Sequence, residues 1–145
     1  MRPRMADPRI GIFYQGVSDF RNGDSGLKHI YYAQRWRLEP SDETAYRMGQ
    51  LVEPKKPIVF YVDNAFPESW KKYIRAGVEE WKDAFERIGF KNAIMAKDFP
   101  LDDPEFDPDN IKYSCIRYSP SQLENGMGPS WRDARTGAIL NSVGT

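Results

Sequence analysis

The longest unbroken apolar run in the chain is Ile58-Val59-Phe60-Tyr61-Val62, which reads as a strand buried on both faces. After Asp63-Asn64-Ala65-Phe66 the spacing changes. Apolar residues now fall at Trp70, Tyr73, Ile74, Val78, Trp81, Phe85 and Ile88, in steps of three and four that make one helical stripe. Pro67 suits a first helical turn, where its missing N–H has no intrahelical partner to lose. Gly89 suits the left-handed conformation that ends helices. The pattern therefore predicts one long helix over 67–88, about 33 Å in length. Asn92-Ala93-Ile94-Met95-Ala96-Lys97 supplies a return strand parallel to 58–62, which completes a strand–helix–strand crossover. Gly77 in mid-helix costs about 1 kcal/mol relative to alanine, and close approach of the helix to the sheet would offset it.

Shorter segments surround this unit. Residues 9–14 read as a strand with Ile10, Ile12 and Tyr14 on one face, followed by a polar loop over 18–26. From Lys28 to Leu38 the residues alternate, with an interruption at Gln34. Ile30, Tyr32, Trp36 and Leu38 share one face, and His29, Tyr31, Arg35 and Arg37 the other, so His29 belongs to a polar strand face before it suggests catalysis. The two strands are expected to pair antiparallel. Residues 39–57 form a connector, with a helical turn after a Ser41 or Asp42 cap. Asp98 to Asn110 is rich in Asp and Pro. It lacks the alternating Asp spacing of a calcium loop and fits a solvated loop better. Ile111 to Tyr118 reads as a third strand, nearer an edge, in which Cys115 is a packing residue. Asp133-Ala-Arg-Thr-Gly137 is turn chemistry between extended pieces at 126–132 and 138–143. No closing element follows in the sequence, and the fold is expected to continue elsewhere.

The expected class is α/β (α+β), a twisted mixed sheet of about four to six strands backed by one long helix. Residues 1–56 would supply the strand pair and connector, and 57–145 the sheet with its helix, as one compact unit.

Composition narrows the chemistry. The 145 residues carry 21 acidic and 21 basic side chains, so no global field recruits nucleic acid or an anionic membrane. No apolar run reaches the ~20 residues of a membrane-spanning helix, and the N-terminus lacks the apolar core of a signal peptide. His29 is the only histidine and Cys115 the only cysteine. A catalytic zinc usually takes three protein ligands, most often histidines, and a Ser–His–Asp arrangement would also depend on His29. The sequence holds no complete familiar hydrolytic site.

Several stretches in order resemble one bacterial family. They are Pro57-Ile-Val-Phe-Tyr-Val-Asp63, Gly77-Val-Glu-Glu-Trp-Lys-Asp-Ala-Phe85, Ile88-Gly-Phe-Lys-Asn-Ala-Ile94, Ile111-Lys-Tyr-Ser, Ile116-Arg-Tyr118 and Gly128-Pro-Ser with Asp133-Ala-Arg-Thr-Gly137. Asp7-Pro-Arg-Ile-Gly11 and Arg35-Trp-Arg-Leu-Glu39 look like its lead-in. The family is the metzincin-like zinc-dependent metalloproteases. The resemblance implies the N-terminal subdomain of the catalytic domain, ahead of the His-Glu-x-x-His helix that would hold zinc in the full-length enzyme. It further implies a peptide or protein substrate, a C-terminal subdomain as partner, and a secreted, periplasmic or cell-envelope setting. The chain alone would be inactive, with a tendency to self-associate through an uncovered apolar sheet face. In that family an edge strand pairs with the extended substrate through main-chain hydrogen bonds. By position it corresponds to Gly126, Met127, Gly128, Pro129, Ser130, Trp131 and Arg132. Pro129 would interrupt donation along it, and without the family a plain hairpin is the simpler reading. A stand-alone protein-binding or assembly module is the alternative to the protease fragment.

Overall fold

A computed structural model describes residues 1–21, 23, 26–122 and 125–145. Asn22, Asp24 and Ser25 of the expected polar loop lie outside the described residues. The protein is mixed α and β, as the pattern predicts at that level. It divides into two compact units, Met1–Arg37 with Ser130–Asn141 and Leu38–Pro129 with Ser142–Thr145.

In the first unit, β1 (Tyr14–Asp19) pairs antiparallel with β2 (Lys28–Ala33), from Tyr14↔Ala33 to Asp19↔Lys28. The strand expected at 9–14 is displaced. Residues 9–13 are outside any strand, with Ile10 and Phe13 exposed, and pairing begins at Tyr14. The pairing registers Val17 with Ile30 and Gln15 with Tyr32, so it is the partner strand that sets β1, more than β1's own weak alternation. On its outer face the Tyr31 ring lies over Gly16 and meets Tyr14 edge-on, with centroids 5.0 Å apart. Residues 4–6 add to the far side of β2 through Ala33 N–H to Arg4 O and Ala6 N–H to Tyr31 O, both 2.8 Å. The expected strand 28–38 is interrupted at Gln34, after which β3 (Arg35–Trp36) runs parallel to Ala138–Ile139. These last residues open β8 (Ala138–Gly144), and β7 (Ser130–Arg132) pairs with β8 across the turn 133–137.

In the second unit, β4 (Ile58–Val62) is the central strand. It pairs parallel with β5 (Ile94–Asp98) on one side and with β6 (Ser114–Ile116) on the other. The predicted crossover to a parallel return strand is present. β6 is not an edge strand, because Val143–Gly144 pair parallel beyond it at Cys115 and Ile116. Val62 and Cys115 are fully buried, consistent with an apolar run covered on both faces.

The long helix occurs as two pieces, α2 (Glu68–Glu79) and α3 (Lys82–Glu86), although Glu80 and Trp81 keep right-handed helical backbone angles. Helical phase is thus retained from 68 to 86. The stripe is not buried as one surface. Lys71 is buried and Ile74, Val78 and Phe85 are half-buried, whereas Trp70, Tyr73, Trp81 and Ile88 face outward. Lys71 lays its stem on the covered side and ends in an ion pair with Glu68 at 2.7 Å. Gly77 also faces outward. A Cβ there would meet nothing within 4 Å, so the expected close approach to the sheet does not occur.

Before β4, α1 (Glu43–Arg47) follows Asp42, whose carboxylate accepts the Ala45 N–H at 2.9 Å, the cap expected from sequence. Val52, Phe90 and Ala93 form a buried cluster covered by Leu38, Ala45, Tyr46 and Phe85. Gly89 takes φ +94° beside it, and the Tyr46 hydroxyl donates to Ile88 O at 3.0 Å.

Candidate peptide-binding edge

The expected edge strand 126–132 is extended alongside 138–145, and its two halves fall in different units. In the second unit Met127 and Thr145 exchange both backbone hydrogen bonds, at 3.0 and 2.9 Å, and Val143 N–H donates to Pro129 O at 2.9 Å. This register fixes which groups face which way. Residues 127 and 129 turn their backbone groups toward 143–145, so Gly126 and Gly128 turn theirs away. The N–H that Pro129 lacks would have pointed inward. The sequence reading expected the proline to interrupt donation along the strand. Its parity instead leaves the outward donor at Gly128 in place and removes only one inward ladder bond. In the first unit Asp133 N–H donates to Ala138 O at 2.9 Å, which sets Ser130 and Arg132 outward by the same alternation. Among the described residues β7 has no strand partner except β8, and Met127 and Trp131 are exposed. Such an edge can accept an added strand.

The hairpin owes its shape to the turn. The Asp133 carbonyl accepts the N–H groups of Thr136 and Gly137, while its carboxylate accepts the Arg135 N–H at 2.9 Å. The neighbouring Arg135 guanidinium holds the Asp133 carboxyl below its ordinary value.

Elsewhere the candidate groups are structural. His29 is exposed on the hairpin's outer face, as its alternation predicts, with Nδ1 3.5 Å from Ser18 Oγ. The acidic segment 98–110 spends its carboxylates locally. Asp103 and Asp107 accept the N–H groups of Glu105 and Asp109, and Asp98 and Asp109 pair with Arg75 and Arg117. Phe106 anchors the segment, with ring centroids 4.8–5.1 Å from Tyr113, Phe99 and Tyr61. Sequence reading missed this anchor; an aromatic residue within an Asp/Pro run was the signal. Among the described residues no group of three or more His, Cys, Asp and Glu side chains is placed to hold a metal ion, and the residues present do not fit a zinc site.

The carboxyl ends of β4 and β6, where parallel sheets often bind ligands, are tied together by Asp63. Its N–H donates to Ile116 O at 2.9 Å, and its carboxylate accepts the N–H groups of Ala65 and Tyr118 at 2.9 and 3.2 Å. Phe66 and Trp70 pack against Tyr118 beyond it. An open cavity of about 340 Å³ lies beside α1, lined by Glu39, Pro40, Glu43, Tyr46, Arg47 and Lys55.

Cys115 is sealed in the sheet, and burial pushes its thiol up from 9.0 to about 11. The folded state therefore holds this proton more tightly than the unfolded chain. The resulting stability is present below pH 9 and is lost as pH rises through about 11. Denaturant titrations of the protein and of Cys115→Ala should show the difference between them shrinking across that window. In the native state at neutral pH the thiol should resist alkylating reagents and react fully once unfolded. Fast native labelling would contradict this burial.

The profile of a domain of unknown function, DUF5117, matches residues 1–41. No curated protein and no solved structure matches the chain.

Proposed function

We propose that this chain is the N-terminal portion of the catalytic domain of a zinc-dependent metalloendopeptidase. In this reading it supplies the scaffold and an edge strand along which an extended peptide substrate lies. The observation that carries the proposal is the parity of the edge in the second unit, where Gly126 and Gly128 turn outward and the N–H that Pro129 lacks falls on the inner side. The resemblance of the stretches from Pro57 to Gly137 to metzincin-like proteases gives this edge its substrate. Zinc and the hydrolytic step belong to residues outside this chain, and no step of the reaction is assigned to side chains within it.

Hydrogen exchange during titration with extended peptides tests the edge. Added protection is expected at the amides of Gly126 and Gly128, with no gain at Met127, whose N–H is already bonded to Thr145. Gly128→Pro removes an outward donor and should abolish the effect while the hairpin remains intact. Unchanged exchange at saturating peptide would overturn the proposal.

A stand-alone binding module is the second reading, favoured by the aromatic residues exposed along α2 and α3. Genomic sequence continuing in frame to a His-Glu-x-x-His helix supports the protease reading, and a stop codon after Thr145 supports the module.

A further inference from the structure

The outward side of α2 and α3 carries an apolar stripe that the protein's own sheet does not cover. Trp70 is 53% exposed, Tyr73 69%, Trp81 62% and Ile88 56%. Their spacing, with Gly77 and Ala84 between them, follows one line along the helix. Gly77 sits at its middle, facing open space, at a position where alanine would favour the helix. Soluble monomers rarely present a contiguous apolar patch of this kind.

We propose that this stripe is a homodimer interface, in which α2 and α3 of one copy lie antiparallel on those of a second copy, with the two-fold axis at Gly77. The pattern is self-complementary about that residue. Counting outward from Gly77, Tyr73 on one copy meets Trp81 on the other, four positions away in each direction. Trp70 meets Ala84, seven positions away in each direction, so a large side chain faces a small one. Gly77 meets Gly77, which lets the two helix backbones approach closely. Such mutual matching is what an isologous interface requires. The Lys72 ammonium lies 4.7 Å from the centre of the Tyr73 ring and steadies that ring before association. The exposed parts of the four large side chains amount to roughly 500 Å² per copy, near 1,000 Å² for the pair, at the threshold of a specific interface. That size predicts a dimer that dissociates on dilution. The interface is separate from the peptide edge, so it stands or falls independently of the proposed protease function.

Sedimentation of the intact chain over a range of concentrations provides the test. A reversible monomer–dimer equilibrium is expected. Trp81→Glu and Trp70→Glu should each weaken it by about tenfold or more, and circular dichroism should be unchanged in Trp81→Glu, whose exposed side chain makes no ring contact among the described residues. Gly77→Ala separates interface from fold, since it should raise the stability of the dilute monomer while weakening the dimer. For the register, Gly77→Cys on a Cys115→Ser background should form an intermolecular disulfide readily, and Ser69→Cys on the same background should not. A chain that is monomeric at every concentration would overturn the proposal. So would a dimer indifferent to Trp70→Glu and Trp81→Glu, or one cross-linked equally well through Ser69→Cys.

Discussion

Gly137→Ala should lower the stability of the protein by about 3 kcal/mol, the sum of a left-handed backbone penalty and a steric clash. Gly137 adopts φ +71°, where a side chain is strained whatever space surrounds it. Space is also lacking. A Cβ would stand 2.4 Å from the Ala33 carbonyl oxygen and 3.3 Å from Tyr32 Cβ. The neighbour is strand backbone, held by its pairing with β1, so it cannot swing aside as a flexible side chain would. The carbonyl of Gly137 also accepts the Arg35 N–H at 3.1 Å, so a shift of the turn loosens the start of β3 as well. Urea unfolding should show a clearly lower midpoint, and amide exchange should rise first at Ala33 and Arg35. Gly128→Ala is the control, because Gly128 has open space around it and should change the midpoint little. A Gly137→Ala midpoint equal to the parent's would contradict the close approach described above.

Phe90→Ala should be comparably damaging, at about 3–5 kcal/mol. Phe90 is buried between Val52 and Ala93, and its ring centroid lies 5.0 Å from that of Tyr46. Truncation would empty a site whose walls are set by main-chain pairing. Val52 N–H donates to Gly89 O and Lys91 N–H to Val52 O, at 3.1 and 3.0 Å, so the two segments cannot easily close on the void. Tyr46 is fixed from its far end by its hydroxyl bond to Ile88 O. Thermal unfolding of Phe90→Ala against the parent measures the loss, and Phe90→Leu should recover much of it by keeping volume. A loss well under 1 kcal/mol would mean the cluster is not a packed core.

The sequence made the second unit's sheet legible because Ile58 to Val62 has one interpretation, an apolar run too short for a buried helix and bounded by turn residues. The hairpin at 126–143 was legible from its turn chemistry, since Asp133 and Gly137 perform the capping and left-handed roles their types suggest. The helix was legible in extent but misleading in what it buries. A period of 3.6 marks an apolar arc without saying how much of it a sheet covers, and here Lys71 lies on the covered side while Trp70 and Trp81 do not. β1 was misplaced because Ile10 and Ile12 advertise a strand that tertiary pairing does not use. At the edge strand the residues were identified but the consequence of Pro129 was not. Whether a missing N–H points inward or outward depends on register, which a single strand's sequence does not contain.

The arrangement of β4 between two parallel neighbours also governs how the chain reaches its folded state. Its pairing with β5 closes over one helical crossover, whereas Phe60 must find Ser114, and Cys115 must then find Val143. The β4–β6 pairing closes a longer loop than the β4–β5 pairing before any contact rewards it, so β4–β5 and their helix should form first, and Val143 can add only once β6 is in place. Until Ser142–Thr145 arrive, the flank of β6 is an unsatisfied strand edge made of buried-type residues. A cell producing this protein must shield that edge until those residues dock.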